Sequence, residues 1–368
     1  MRTCFGHRGE EKIQVKKNSN QEAFMALVRA GLWEKEVRLL PYKKIDYNKV
    51  LRFAEEQSVT GLVAAGLEHV VDIRVPKVVL LTFAGKALQI EQQNVAMNHF
   101  IEGLFVKLQL EGVNALLVKG QGIAQCYQRP LWRACGDVDL LLDDENYTKA
   151  VRLLKPFASD CKHEGRYSRH LGLTINSWYI ELQGTLRSGL SAKIDQMVDA
   201  VHEDTFKNGK IRVWRDGETN VFLPAPDSDV IFVFTHFLKH FFKVNGFCIR
   251  QLCDWCRLLW TYREPLNHEL LESRIRKMGL MTEWKAFAAL AVDYLGMPVG
   301  AMPLYDADKC WHKKAERILR LVLNKKGTTK PQTLINETRI FPNNSLKFIP
   351  GILFNVNGLK LKERLLGA

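Results

Sequence analysis

The 368-residue sequence has no apolar, charge-free run of about eighteen residues, the shortest that crosses a bilayer as a helix. No transmembrane helix is therefore expected. The first twenty residues carry Arg, Lys and Glu but no apolar stretch, so 1–20 reads as a polar arm and not as a secretory signal. A disulfide framework is missing as well. The 8 cysteines, at 4, 126, 135, 161, 248, 253, 256 and 310, follow no regular spacing, and a chain this long builds a core without cross-links. Reduced thiols and a cytoplasmic setting are the expectation. Internal repeats and low-complexity tracts are absent. The net charge of +13 has no focus, with mild clusters only at 12–17, 312–314 and 360–364. Such a surplus attracts polyanions or simply keeps a chain dissolved, and its spread marks out no nucleic-acid track.

What is present divides the chain by texture. Residues 21–110 repeat apolar positions at helical spacing, as in Phe24, Leu27, Val28 and Leu32, with Asn48 and Ser58 as candidate caps. They predict a helical N-terminal domain. Residues 111–225 change character. Ala115-Leu116-Leu117-Val118 reads as a short buried strand, 121–127 as a turn or two of helix, 137–142 as a second strand and 146–157 as a helix. The runs 171–175 and 178–182 flank Asn176-Ser177 as a hairpin, and 211–214 with 220–223 form another. This is a compact α/β unit. Residues 226–325 predict a second helical domain. Residues 326–368 form a tail rich in Gly, Pro, Asn and Thr, whose stretch 348–366 mixes apolar residues with lysines and suits a membrane surface or a partner.

The sharpest local feature is Gly136-Asp137-Val138-Asp139-Leu140-Leu141-Leu142. On a strand, i and i+2 share a face, so Asp137 and Asp139 project together while Val138 and Leu140 enter a core. Adjacent carboxylates repel each other, and a hard divalent cation such as Mg²⁺, sharing phosphate oxygens, removes that cost. A solvated strand edge is the plain alternative, and the leucines that follow argue against it. Upstream, Lys119-Gly120-Gln121-Gly122 forms a glycine-bearing turn after a buried strand. There backbone N–H groups and a helix start favour phosphate, and Lys119 adds a charge. Arg133 either binds phosphate or holds the loop by pairing with a carboxylate. Two-metal chemistry needs a third carboxylate. Glu181, between Ile180 and Leu182, faces away from the core together with Tyr179 and Gln183, and fits better than Asp195.

The order Leu117-Val118-Lys119-Gly120, Tyr127, Arg133, Gly136-Asp137-Val138-Asp139-Leu140-Leu141, then Tyr179-Ile180-Glu181-Leu182-Gln183, resembles the uncharacterised nucleotidyltransferase family of the DNA polymerase beta superfamily. His236, His240, Arg250 and Asp254 are similar to the helical segment that follows that family's catalytic core. The match spans about 24–295. One departure stands out: Gln183 replaces the histidine common two places after the third acid; the superfamily's conventional Gly-Ser is also missing, but Lys-Gly is what this branch shows. The resemblance implies an α+β fold with a polymerase beta-type core, a small mixed sheet with flanking helices, at 111–225 between the helical regions. It implies two Mg²⁺ ions held by Asp137, Asp139 and Glu181, and an NTP bound by Lys119, Gly120, Arg133, His236 and His240. It leaves the acceptor open among small molecules, proteins and RNA.

Other constellations have plainer readings. His236 and His240 at i, i+4 with Cys253-Asp254-Trp255-Cys256 suit zinc, but no second Cys-x-x-Cys exists and a Phe-rich helix explains them as core or pocket lining. Arg250 and Asp254, also i, i+4, predict a helix-surface pair. The functional alternatives to a general nucleotidyltransferase are a toxin-like enzyme that adds nucleotides to tRNA, and a scaffold that kept the fold and lost catalysis.

Overall fold

The computed structural model describes residues 19–163, 169–209, 211–244, 247–324, 337–342 and 344. Almost all of the polar arm, and the 348–366 stretch of the tail, lie outside the described residues. The N-terminal region is helical as its periodicity predicts: α1 (Ser19–Trp33), α2 (Tyr47–Glu56), α3 (Thr60–Glu68) and the long α4 (Lys77–Leu110). Its caps differ from expectation. Asp46 caps α2, accepting from the backbone N–H groups of Asn48 and Lys49, because Asp46 has the extended backbone a cap needs while Asn48 is already helical. Ser58, at φ +55°, precedes α3 without capping it.

The middle region builds the sheet. Its elements are β1 (Leu116–Val118), α5 (Gly120–Ala124), β2 (Asp137–Leu141), α6 (Asp144–Leu154), β3 (Asp160–His163), β4 (His170–Ile175), β5 (Trp178–Gln183), α7 (Ala192–Lys207), β6 (Ile211–Asp216) and β7 (Thr219–Pro224). The five-stranded sheet has the order β1-β2-β5-β4-β3. Only the β2/β5 pair is parallel, so the sheet is mixed. Both predicted hairpins form. Asn176 and Ser177 turn the first with positive φ at both positions, the backbone a two-residue turn requires. The second has strands longer than expected, reaching Asp216 and Thr219. The sequence reading had no element for β3 or α7. Yet α7 carries Ser191 as its cap and buries Ile194, Val198 and Val201, a helical signature.

The sheet has two unlike faces. Val138, Leu140, Ile180, Leu182, Leu171 and Leu173 join Ile101, Leu104 and Phe105 of α4 and Ala150 and Leu154 of α6 in one apolar cluster. On the other face Leu116, Val118 and Leu141 belong to a larger cluster. That cluster unites Phe24 and Phe53 with Phe234, Trp255 and Phe287, so both helical regions contribute to one core. The C-terminal helices are α8 (Pro226–Lys239), α9 (Ile249–Thr261), α10 (His268–Met278), α11 (Met281–Leu295) and α12 (Lys309–Leu323). A π turn, His240–Val244, extends α8. Gly279 at φ +72° separates α10 from α11. Among the described residues, no helix is long and apolar enough to cross a membrane.

Candidate active site

Strand register decides which carboxylates meet. Asp137 pairs with Tyr179 and Asp139 with Glu181, so the acid of β5 lies directly opposite the second acid of β2. Asp137 shares their face by alternation. Asp195 goes elsewhere. In the first turn of α7 it accepts from Ser188 Oγ at 3.1 Å and Gly189 N at 3.0 Å, tying a loop to its helix. Gln183 donates through Nε2 to Asp139 Oδ1 at 2.5 Å and to Glu181 Oε2 at 2.8 Å, bridging the pair. His170, the register partner of Gln183 on β4, places Nε2 at 3.2 Å from Glu181 Oε2. The family's histidine is thus missing from position 183, but a histidine reaches the third acid from the neighbouring strand. Counting outward from the Ile175–Trp178 pair of the predicted hairpin would have found it.

The two facing acids are electrostatically unequal. Burial pushes Asp139 up to about 7; Lys119 pulls it down, while Asp137 and Glu181 raise it further. Glu181 is also raised by burial, but its hydrogen bonds to His170 and Asp139 and the nearby Lys119 hold it at about 2. Burial therefore shifts Asp139 toward its neutral form, opposed by Lys119, while Glu181 is held toward its ionised form. Lys119 donates to Asp139 Oδ1 at 2.8 Å. Burial lowers its pKa, but the charges of Asp139, Glu181 and Asp137 outweigh burial and raise it overall.

The turn that aims Lys119 is strained. Val118 is the register partner of Asp139, so the next residue leaves β1 beside that carboxylate. Lys119 adopts φ +58°, ψ −143°, a conformation that costs a side-chain-bearing residue about 1–3 kcal/mol. Gly120 follows at φ +37° and opens α5. That helix has only 5 residues, so its dipole adds little to anion binding.

The segment leading to Asp137 is clamped from two sides. Arg133 takes the second of its two expected courses. Its Nε and Nη2 each donate to Asp254 at 2.7 Å, Tyr127 Oη donates to the same carboxylate at 2.7 Å, and all three residues are buried. Burial works against the Asp254 carboxylate, but Arg133 prevails and its pKa falls. The expected surface pair of Arg250 with Asp254 does not form, because Asp254 points inward to Arg133. Arg250 donates instead from Nη1 to the Ala134 carbonyl at 3.0 Å. From α4, Asn94 donates to the carbonyls of Leu131 and Arg133 at 2.7 and 2.8 Å, and Glu91 accepts from Trp132 Nε1 at 2.7 Å. Gly61 of α3 lets this loop close in: a Cβ there would stand 2.0 Å from the Trp132 carbonyl oxygen. Sequence reading missed Asn94 and Glu91, since polar residues inside a long helix give no sign of what they hold.

A histidine pair from the end of α8 and the π turn lies within electrostatic reach of Lys119 and Arg250. His236 and His240 stack edge-on with ring centroids 4.5 Å apart. His236 is pushed well below its usual pKa by burial, and then by the positive charges of Lys119, His240, Lys239 and Arg250. Arg250 keeps a buried Nε that finds no partner among the described residues. A histidine pair beside an under-used guanidinium can receive an anion. Zinc fits less well. Burial raises the Cys253 and Cys256 thiols, which disfavours the thiolate a zinc ligand must be, and the described cysteines are free.

Comparison with known proteins supports one assignment. No curated protein and no solved structure matches the chain. The family model described as uncharacterised nucleotidyltransferase matches residues 43–296, a span holding every acid and cation of this site. The chain belongs to the uncharacterised nucleotidyltransferase family.

Proposed function

We propose that the protein is a Mg²⁺-dependent nucleotidyltransferase with a polymerase beta-type core, transferring a nucleoside monophosphate from an NTP to an acceptor hydroxyl. One observation carries this reading: Asp139 and Glu181 face each other on parallel strands, with Asp137 on the same face, Lys119 donating to Asp139, and His236 within electrostatic reach of Lys119 and Arg250. Asp137, Asp139 and Glu181 offer hard carboxylate oxygens, the ligands Mg²⁺ prefers, and they would hold the two ions. When bound, the ions supply charge neutralisation for the phosphates and the attacking oxygen.

The protein's own residues have separable tasks. Lys119, Arg250, His236 and His240 hold the triphosphate. Glu181, raised by burial but held toward its ionised form by its hydrogen bonds to His170 and Asp139 and by the charge of Lys119, suits ligation better than proton abstraction. The acceptor oxygen bonds to the α-phosphorus as the bond to the bridging oxygen breaks. Pyrophosphate leaves opposite, and the hydroxyl proton passes to a carboxylate or to solvent. Catalysis then rests on positioning and charge, as in other phosphoryl-type transfers. Arg133 acts through Asp137, whose loop it anchors, and not on phosphate.

Calorimetric titration with each of the four NTPs plus Mg²⁺ tests the proposal. Binding that requires Mg²⁺ and is lost in Asp137→Asn/Asp139→Asn is the expected result. A folded wild-type chain that binds none of them would refute the enzyme reading and favour the scaffold.

A further inference from the structure

Two N–H donors converge on Asp139, and one of them also reaches the facing Glu181. The Lys119 ammonium donates to Asp139 Oδ1 at 2.8 Å, and the Gln183 amide donates to the same oxygen at 2.5 Å and to Glu181 at 2.8 Å. Both lone pairs of that Asp139 oxygen are therefore used. The ion pair is secluded, with side-chain exposures of 13% for Lys119 and 4% for Asp139, so water screens it little. Among the described residues, no three His, Cys, Asp or Glu side chains gather around a common point as they would around a metal ion. Asp139 is held by the lysine and the amide instead, and Glu181 by the amide.

A divalent cation that ligates Asp139 through Oδ1 needs a lone pair that these donors hold, and through either carboxylate oxygen it repels the ammonium beside it. Gln183 is neutral and can turn its own amide oxygen to a cation. Lys119 has no acceptor to offer, and it is the group that must move. Its flexible four-carbon stem starts from the turn at the end of β1, and its charge is felt by His236, one of the residues that would receive phosphate.

We propose that Lys119 is the resident counter-ion of the carboxylates, and that it exchanges places with the divalent cation, yielding Asp139 and swinging its ammonium onto the nucleotide's phosphates. This rests on the metal–nucleotide reading of the site given above. It makes Lys119 a coupling device: the lysine opposes a metal that arrives alone and favours one that arrives with a nucleotide. Coupling of this kind is reciprocal, so free metal and free NTP should each bind weakly, and together tightly.

The test separates this from a lysine that only touches phosphate. Lys119→Met should bind Mn²⁺ alone about tenfold more tightly than wild type, and Mg²⁺ with NTP about tenfold more weakly, the scale of one charge-assisted contact. These opposite signs are read by calorimetry with Mn²⁺ as the sole probe, then with Mg²⁺ and NTP. Arg250→Met removes a neighbouring cation that touches no acid of the site. It should weaken NTP binding and leave Mn²⁺ affinity within about twofold. Mn²⁺ binding to Lys119→Met that is equal to or weaker than wild type overturns the exchange. Absence of Mn²⁺ binding in both proteins overturns the metal reading beneath it. Should Lys119→Met not fold, the wild-type chain decides: Mn²⁺ should speed acylation of Lys119, followed by peptide mass spectrometry, and an unchanged rate overturns the proposal.

Discussion

Gln183 joins Asp139 to Glu181, giving one amide nitrogen to a carboxylate on each of two parallel strands. The bridge explains how a chain without the family's histidine at this place tolerates a buried acid facing a half-buried one. An amide supplies donors without adding charge, whatever the protonation state of the pair. Its removal should therefore show as a metal-dependent stability defect. Gln183→Glu places a third carboxylate against the two and should cost about 3 kcal/mol or more in metal-free buffer. Gln183→Leu, which only leaves acceptors unpaired, should cost about 1–3 kcal/mol. Thermal melts with and without millimolar Mg²⁺ distinguish them. The Glu variant should recover much of its loss in Mg²⁺ and the Leu variant little. Equal responses would mean that no metal reaches this pair.

The same pair predicts a pH dependence. Asp139 is raised by burial from the ordinary 3.8 to about 7. Between those values the folded chain holds a proton that the unfolded chain has lost. The folded state binds more protons there, so metal-free stability falls as pH rises through the window. Glu181, lowered from 4.5 to about 2, adds stability that is present above 4.5 and lost only as pH falls toward 2. The two windows do not overlap above pH 4.5. Since a metal needs Asp139 ionised, Mn²⁺ affinity should climb about tenfold per pH unit from about pH 5.5 and level off near 7. Calorimetry across that range measures it. A flat profile would show that Asp139 is already ionised, or is not a ligand.

Much of this site was legible because strand periodicity is rigid. Asp137, Asp139 and Glu181 had to leave the core once Val138, Leu140, Ile180 and Leu182 entered it, and the apolar cluster behind the sheet holds all four. Sequence could not supply the partnering of β2 with β5, which no local signal encodes and which alone sets Glu181 opposite Asp139. Arg133 shows the same limit. A conspicuous arginine four residues before an acidic pair fits phosphate binding and loop clamping equally. Only the packing of α9 beside the loop, bringing Asp254 within 2.7 Å, separates them. The Asn48 cap failed for a smaller reason, because an aspartate two residues earlier did the same task with better backbone geometry.

The Arg133–Asp254 clamp should behave as a buried ion pair. Both partners are buried, and Tyr127 supplies a further hydrogen bond. Removing one partner strands the other, so Asp254→Ala or Arg133→Met should cost about 3–5 kcal/mol in urea unfolding. Replacing both with apolar residues should recover a good part of that. Tyr127→Phe should cost only about 1–2 kcal/mol. If Arg133 instead acts on phosphate, Arg133→Met would weaken NTP binding with little loss of stability, the reverse of the expected pattern.

The tail segment that returns to the core makes the last prediction. Ile340 and Phe341 are buried, and the Phe341 ring lies 5.8 Å from Phe242, 6.1 Å from Phe241 and 6.2 Å from Phe287. Lys314 donates to the Ile340 carbonyl, and Asn344 donates to Glu283 at 2.8 Å. The two phenylalanines it meets first belong to the π turn that begins at His240, next to the pair expected to receive phosphate. π turns interrupt the regular hydrogen-bond ladder and need packing to persist. Phe341→Ala should thus have two effects from one cavity. It should lose about 3–5 kcal/mol of stability, as for other buried phenylalanines, and it should weaken NTP binding by loosening the His236–His240 pair. Phe157→Ala, at a site 59% exposed and remote in sequence from that turn, should do neither. Thermal unfolding together with NTP calorimetry on both variants separates the effects. A Phe341→Ala protein that is less stable but binds NTP as tightly as wild type would show that the tail supports the fold alone and leaves the histidines undisturbed.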